Sequence, residues 1–175
     1  ENNKSDYGYG GVLYMNGGSN EGTSIIDCVF KGNTWSSAHG TTPYQGVVQF
    51  CGNPLKNLTI RNCLFAENKN KYSNSGGRRG AMICLGTSDT ASQSGPISIE
   101  NCTFANNSNT SKSTPNSGDR KGRGVIALPK SSGTYKAVVR NCVFVNNTAA
   151  NVRLPSVTSG QTANGGYSTA EADVT

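Results

Sequence analysis

A nine-residue segment that recurs four times constrains this chain more than any other feature of its sequence. Each copy reads apolar residue, any residue, Asp or Asn, Cys, any residue, Phe, any two residues, Asn. The copies occupy residues 25–33, 60–68, 99–107 and 139–147. A second motif, a glycine followed by mostly apolar residues, alternates with the first at residues 11–15, 46–50, 80–84 and 124–128. Two motifs in strict alternation indicate a chain built from repeated structural units.

The repeat unit consists of short β-rich runs separated by turn residues, and it contains no helical pattern. Such a unit cannot bury its apolar face alone, so successive units must stack. An antiparallel sandwich does not require the same residue every 35 to 40 positions, whereas a parallel coil does, because equivalent positions then lie about 4.8 Å apart. The sequence therefore predicts an all-β fold, a right-handed parallel β-helix (a solenoid) of about four coils with three short strands per coil. The hand follows from the general preference for right-handed parallel connections.

We expect residues 1–175 to form a single β-helix domain that is a segment of a longer protein. The repeat coils span about residues 7–147, and residues 151–175 form an irregular tail. A solenoid needs polar caps on its terminal coils, but no amphipathic capping helix precedes the first repeat. Further β-helix coils or an end-to-end neighbour are therefore expected as partners.

The repeats also predict side-chain directions. The first position of each nine-residue copy should face inward and the next outward, and the Cys and the Phe should face inward again. This change of phase requires a corner between them, at Asp27, Asn62, Asn101 and Asn141, because Asp and Asn tolerate left-handed backbone angles. A second corner with stacked side chains is expected at Asn33, Asn68, Asn107 and Asn147. The segments after it, residues 34–45, 69–79 and 108–123, are predicted to be loops.

Six cysteines are present, and four recur at one inward position. Cys84 is expected to share the inward position of Met15, Phe50 and Leu128. We interpret these cysteines as small buried side chains that pack as hydrophobes; disulfides are the alternative, since the stacked spacing lies within their Cα range. With one histidine, His39, and no close Cys pair, no metal site is predicted, and no cofactor is expected.

The acidic residues do not form a close pair of the kind that carboxylates need to share acid–base catalysis. Only Asp27 and Glu100 lie on repeat strands, and they occupy different repeat positions. No catalytic residue is therefore predicted. Arg61, Glu100 and Arg140 share an outward position on successive coils, which predicts a structural row of alternating charges.

Five basic residues precede the glycines of two adjacent coils, and the net charge is +6. The predicted ligand-binding residues are Arg78, Arg79, Arg120, Lys121 and Arg123, which should converge on one edge near Lys69, Lys71 and Lys112. An acidic glycan is the expected ligand; a solvated basic face is the alternative. Nucleic acid is not expected, since no aromatic residues interleave with the basic run. No apolar run approaches 18 residues, so no membrane insertion is expected.

The Gly-Gly-Val-Leu of residues 10–13 and the four Phe-x-x-Asn segments resemble the alternating repeats of polymorphic outer-membrane proteins. Those are bacterial surface adhesins whose passengers are right-handed β-helices of the pectin-lyase-like superfamily. The resemblance covers about residues 7–147; it departs from the family pattern in that only the first copy has the Gly-Gly pair. It implies a secreted or bacterial cell-surface, adhesin-like binding or scaffold module that is not an enzyme and that binds a host or cell-surface ligand. The alternative is a fragment of a polysaccharide-degrading β-helix enzyme, a lyase or a hydrolase, with its active site on further coils.

Overall fold

The computed structural model describes residues 1–5, 11–15, 18, 20–37, 44–51, 55–72, 79–85, 93–111, 124–127, 137–148 and 150–153. Within these residues the chain is all-β and has no helix. The described strands, in chain order, are β1 (Lys4–Ser5), β2 (Leu13–Met15), β3 (Asn20–Glu21), β4 (Ser24–Ile26), β5 (Val29–Lys31), β6 (Thr34–Ser37), β7 (Tyr44–Phe50), β8 (Leu55–Lys56), β9 (Leu58–Arg61), β10 (Leu64–Ala66), β11 (Lys69–Tyr72), β12 (Arg79–Leu85), β13 (Ile97–Glu100), β14 (Thr103–Ala105), β15 (Ser108–Ser111), β16 (Gly124–Ala127), β17 (Ala137–Arg140), β18 (Val143–Val145) and β19 (Ala150–Arg153).

These strands pair only in parallel, and each pairs with its equivalent in the neighbouring repeat. The first sheet has the order β2-β7-β12-β16-β19, the second β4-β9-β13-β17, the third β5-β10-β14-β18 and the fourth β1-β6-β11-β15. A short fifth sheet joins β3 to β8. The chain thus visits the same sheets in the same order in each repeat, an arrangement compatible with a β-solenoid.

The prediction of three strands per coil is wrong. The structure has a fourth sheet, which is formed by residues predicted to lie in loops. Residues 34–37, 69–72 and 108–111 begin the predicted loops but form β6, β11 and β15, which pair in register with one another. Their polar sequences carry no alternation of apolar residues, the usual sequence signal of a strand. Backbone hydrogen bonds to the neighbouring repeats hold them extended instead. The middle parts of the predicted loops lie outside the described residues.

The predicted inward positions are confirmed on the second and third sheets. Ile25, Ile60, Ile99 and Val139 are all buried. The four phenylalanines of the repeat stack face to face, with ring centroids 4.7 to 5.0 Å apart and planes within 11° of parallel. Phe65 and Phe104, in the middle of this stack, are fully buried. The apolar interior is therefore a set of rows that run from repeat to repeat.

The first predicted corner is confirmed by the backbone. Its residues have positive φ angles: Asp27 53°, Asn62 55°, Asn101 52° and Asn141 52°. At the second corner the positive φ belongs to the residue before the predicted one: Gly32 66°, Glu67 57°, Asn106 55° and Asn146 51°. The chain turns one residue earlier than expected. The asparagine that follows the turn bonds through its side chain to the neighbouring repeats.

The register predicted for the first sheet is wrong by one residue in the third repeat. Gly46 pairs with Ala81, not with Gly80, and Phe50 pairs with Leu85, not with Cys84. The larger Leu85 takes the core position because it fills more of the interior than a thiol does. Cys84 lies beside Gln49 instead. Leu128, which was expected at the same position, lies outside the described residues.

The strand β19 begins just before the predicted tail. It pairs with β16 and so adds a fifth strand to the first sheet. The tail from residue 154 onward lies outside the described residues. Among the described residues, no helix is long and apolar enough to span a membrane.

Replacing Phe104 with Ala should lower the free energy of unfolding by about 3–5 kcal/mol, as for other buried aromatics. The change removes the stacking of the Phe104 ring on the rings of Phe65 and Phe144. Lys69→Ala, at an exposed position of β11, is the control and should change stability by less than about 0.5 kcal/mol. Urea unfolding followed by circular dichroism measures both, and equal small effects would contradict the assignment of the core.

Candidate functional site

Of the five predicted ligand-binding residues, the described structure contains Arg79. Arg79 begins β12, where its Cα lies beside that of Tyr44 in β7. The other predicted ligand-binding residues, Arg78, Arg120, Lys121 and Arg123, lie outside the described residues. The one-coil spacing between Arg79 and Arg123 therefore stays a prediction.

Further basic residues lie on the fourth sheet, next to the strand that Arg79 begins. Lys69 and Lys71, predicted to be in a loop, are part of β11, and β11 contacts β12. Lys4 and Lys69 both pair with Thr34, one from each side, so the two lysines lie in one row two repeats apart. Both are exposed. We call Lys4, Lys69, Lys71 and Arg79 the basic edge.

Lys4 was missed by the sequence analysis, although its surroundings carry a signal. The sequence Asn2-Asn3-Lys4 matches Glu67-Asn68-Lys69 at the second corner of a later repeat. Asn2 has the positive φ of that corner, 56°. The fragment is too short to be recognised without the register of β1 against β6.

A small cavity lies beside Lys4, at one end of this edge. It is lined by Asn3, Lys4, Ser5, Gly11, Val12, Asn33, Thr34, Trp35 and Val47. Its volume of about 30 Å³ has room for water but not for a sugar ring. A ligand of the basic edge would therefore contact the outer surface and not this cavity.

Side-chain amides at the second corner form a continuous asparagine ladder. Its members are Asn3, Asn33, Asn68, Asn107 and Asn147. Each asparagine of the first four donates its backbone N–H and its Nδ2 to the Oδ1 of the next, at 2.9 to 3.1 Å. The last three also donate Nδ2 to the carbonyl oxygen of the repeat phenylalanine in the preceding repeat, at 2.8 to 2.9 Å. At Asn68, which is fully buried, both Nδ2 hydrogens and the Oδ1 are thereby satisfied.

A second row of carboxamides runs along the first corner, on the surface. Asn62 Nδ2 donates to Asp27 Oδ1 at 3.0 Å, and Asn101 Nδ2 donates to Asn62 Oδ1 at 3.4 Å. These residues are exposed, so water competes for every bond. The two corners thus use similar side chains in different environments, and the buried ladder contributes more to stability.

The predicted row of alternating charges is present on the second sheet. Glu100 pairs with Arg61 on one side and with Arg140 on the other, and Arg140 approaches its carboxylate to 3.0 Å. A hydrogen bond from the Ser98 hydroxyl, followed by the bond from Arg140, lowers the pKa of Glu100. The acid is held ionised by its neighbours and is not a candidate proton donor.

Three further acids, one on a strand and two at corners, also have partners. Glu21 is 2.8 Å from Lys56, Glu67 is 3.8 Å from Lys31, and Asp27 accepts from Asn62. Across the part of the chain that the structure describes, no three His, Cys, Asp or Glu side chains lie close enough together to hold a metal ion. His39 lies outside that part.

All six cysteines are free thiols. Those of the nine-residue repeat form the thiol row: Cys28, Cys63, Cys102 and Cys142. The last three are buried as expected, whereas Cys28 is only half-buried. Burial raises the pKa of Cys63 to about 11, so its thiol keeps its proton at neutral pH.

Comparisons with protein-family models, with curated protein sequences and with solved structures give no match to this chain.

Replacing Asn68 with Ala should lower the free energy of unfolding by about 3 kcal/mol or more. The change leaves Asn33 without its acceptor and Phe30 without a donor to its carbonyl oxygen, and each buried group without a partner costs about 1–3 kcal/mol. Asn62→Gly in the exposed row is the control, since glycine accepts the positive φ there. Chemical unfolding measures the free energy of unfolding of both variants. An equal loss in the two would contradict the prediction that the buried ladder contributes more to stability than the exposed row does.

A thiol-reactive reagent should label Cys28 and Cys51 first, because they are half-buried, and should leave Cys63, Cys102 and Cys142 unlabelled in the native protein. After unfolding without a reductant, all six should react. Peptide mass spectrometry identifies the labelled positions, and cysteine peptides linked by a disulfide would contradict the prediction.

Proposed function

We propose that this chain is an adhesin-like binding and scaffold module of a secreted or bacterial cell-surface protein, and that it has no catalytic activity. Its parallel sheets wind as a right-handed β-helix, following the general rule for parallel connections. The resemblance of its repeats to polymorphic outer-membrane proteins supports both the hand and the surface location. In this proposal the solenoid holds a binding surface in a rigid, repeated form.

The observation that carries the proposal is the register of the fourth sheet. Because β1, β6, β11 and β15 pair residue for residue, their outward side chains repeat at the strand spacing of about 4.8 Å. Lys4 and Lys69, two repeats apart, are then separated by about 10 Å. The two lysines thus present positive charge along one line of the sheet, and a linear polyanion can lie along that line and contact both.

An acidic polysaccharide is the ligand that fits this edge. Arg79 can bind a carboxylate or sulfate through two parallel hydrogen bonds, and the lysines add point charges. Each exposed contact is weak and screened by salt. Affinity therefore comes from several simultaneous contacts along one polymer chain, and it falls as the salt concentration rises.

Replacing Arg79 and Arg123 together with Ser should weaken binding to acidic glycans on an array by about tenfold or more. The matched control replaces Arg61 and Arg140 with Ser, which removes the same charge from the second sheet and should leave binding unchanged. Neutral glycans should bind to neither variant nor to the parent chain.

A specific anion site would be contradicted if neutral glycans bound as well as acidic ones. It would also be contradicted if both double variants lost the same amount of binding to acidic glycans. Shortening of the polysaccharide during incubation would contradict the proposal that the chain is not an enzyme.

A further inference from the structure

One outward row of the fourth sheet alternates between lysine and hydroxyl residues. Lys4 and Lys69 lie on either side of Thr34. Ser108 lies beside Lys69 on its other side. Both lysines are exposed, and Thr34 and Ser108 are partly exposed. These four residues, which we call the alternating row, present cation, hydroxyl, cation and hydroxyl in successive repeats.

The neighbouring positions show the direction of this row and repeat its pattern. Trp35 and Asn70, the next residues in β6 and β11, are buried, so the residues before them face outward. Two positions along the same strands, Lys71 pairs with Ser36 on one side and with Thr110 on the other. In both rows, therefore, lysine occurs on β1 or β11 and hydroxyl residues occur on β6 and β15.

This order sets the charge spacing that a ligand must have. Adjacent strands are about 4.8 Å apart, so lysines on every second strand are separated by about 10 Å. In an extended chain of β-linked pyranose sugars, each ring advances by about one strand spacing. A chain that lies along the stacking direction of the repeats therefore brings alternate sugars to the lysines and the sugars between them to the hydroxyl residues.

The two kinds of position suit different sugars. A lysine ammonium binds a carboxylate or sulfate as a point charge. The hydroxyls of Thr34 and Ser108 each have one hydrogen to donate and two lone pairs to accept with, which suits the hydroxyl and amide groups of a neutral sugar. A carboxylate placed opposite a hydroxyl would lose part of its hydration without gaining a cation.

We propose that the alternating row selects polysaccharides that carry an acidic group on every second sugar. This inference rests on the proposed function, because it specifies the charge pattern of the acidic polysaccharide bound at the basic edge. The acidic sugars lie at Lys4 and Lys69, and the neutral sugars lie at Thr34 and Ser108. A polymer with an acid on every sugar has more charge, but it places half of its acids opposite hydroxyl groups.

The test compares three oligosaccharides of equal length by surface plasmon resonance on the immobilised full chain. The first alternates glucuronate with N-acetylglucosamine, as hyaluronan does. The second is β-linked glucuronate alone, and the third is β-linked N-acetylglucosamine alone. The alternating oligosaccharide should bind about fivefold more tightly than the fully acidic one, or better, because selectivity is the difference between the two binding free energies. The neutral oligosaccharide should not bind.

A variant with Thr34→Lys and Ser108→Lys places lysine at every position of the alternating row. Its preference for the alternating oligosaccharide should disappear or reverse. The matched control is Ser24→Lys with Thr59→Lys, a neighbouring pair on the second sheet, which adds the same charge away from the row. The control should keep the preference of the parent chain.

The outcomes separate this inference from the proposed function. If the fully acidic oligosaccharide binds as tightly as the alternating one, the inference is overturned, whereas the proposed function stands as long as the neutral one does not bind. Equal binding of the neutral oligosaccharide overturns both. Equal loss of the preference in the two lysine variants also overturns the inference. If a variant does not fold by circular dichroism, the ratio of the two affinities in the parent chain decides the question.

Discussion

The buried asparagine ladder is the interaction on which the rest of this structure depends. Every repeat turns at the second corner, where the chain passes from the third sheet to the fourth. The backbone N–H and C=O groups of the turn need hydrogen-bond partners there other than those of a regular sheet. The amide of Asn68 binds backbone and side-chain groups of both neighbouring repeats, so a polar turn can be buried without unsatisfied groups. Because each amide must lie directly above the next, the ladder also fixes the register of the sheets on either side.

That register produces rows of identical or complementary residues along the described sheets. Phe65 stacks on Phe30 and Phe104 because their strands are aligned residue for residue. The same alignment brings Glu100 beside two arginines on the outer surface, and it places the buried cysteines Cys102 and Cys142 in one row of the interior. Position along the repeat decides the environment: apolar rows stabilise the stack, and charged rows are left for solvent or ligands.

The proposed binding surface of the chain follows from this periodicity. At the basic edge, Lys4 and Lys69 lie in one row of the fourth sheet, and Arg79 begins the neighbouring strand β12. An elongated basic surface of this kind suits an extended anion better than a compact one. It needs no pocket, because the spacing between strands supplies the geometry.

The sequence by itself determined the parallel stacking, the inward positions of the nine-residue repeat, the first corner and the asparagine ladder from Asn33 to Asn147. Residues that recur at fixed intervals must occupy equivalent places, so periodicity is enough to predict them. Only the tertiary structure decided the fourth sheet, the first member of the ladder at Asn3 and the register of Leu85 against Phe50. The polar strand β11 is extended because backbone hydrogen bonds join it to β6 and β15, and no local pattern encodes those bonds. Leu85 takes the core position because packing selects the larger apolar side chain, even though the glycines of the two repeats then fall out of line.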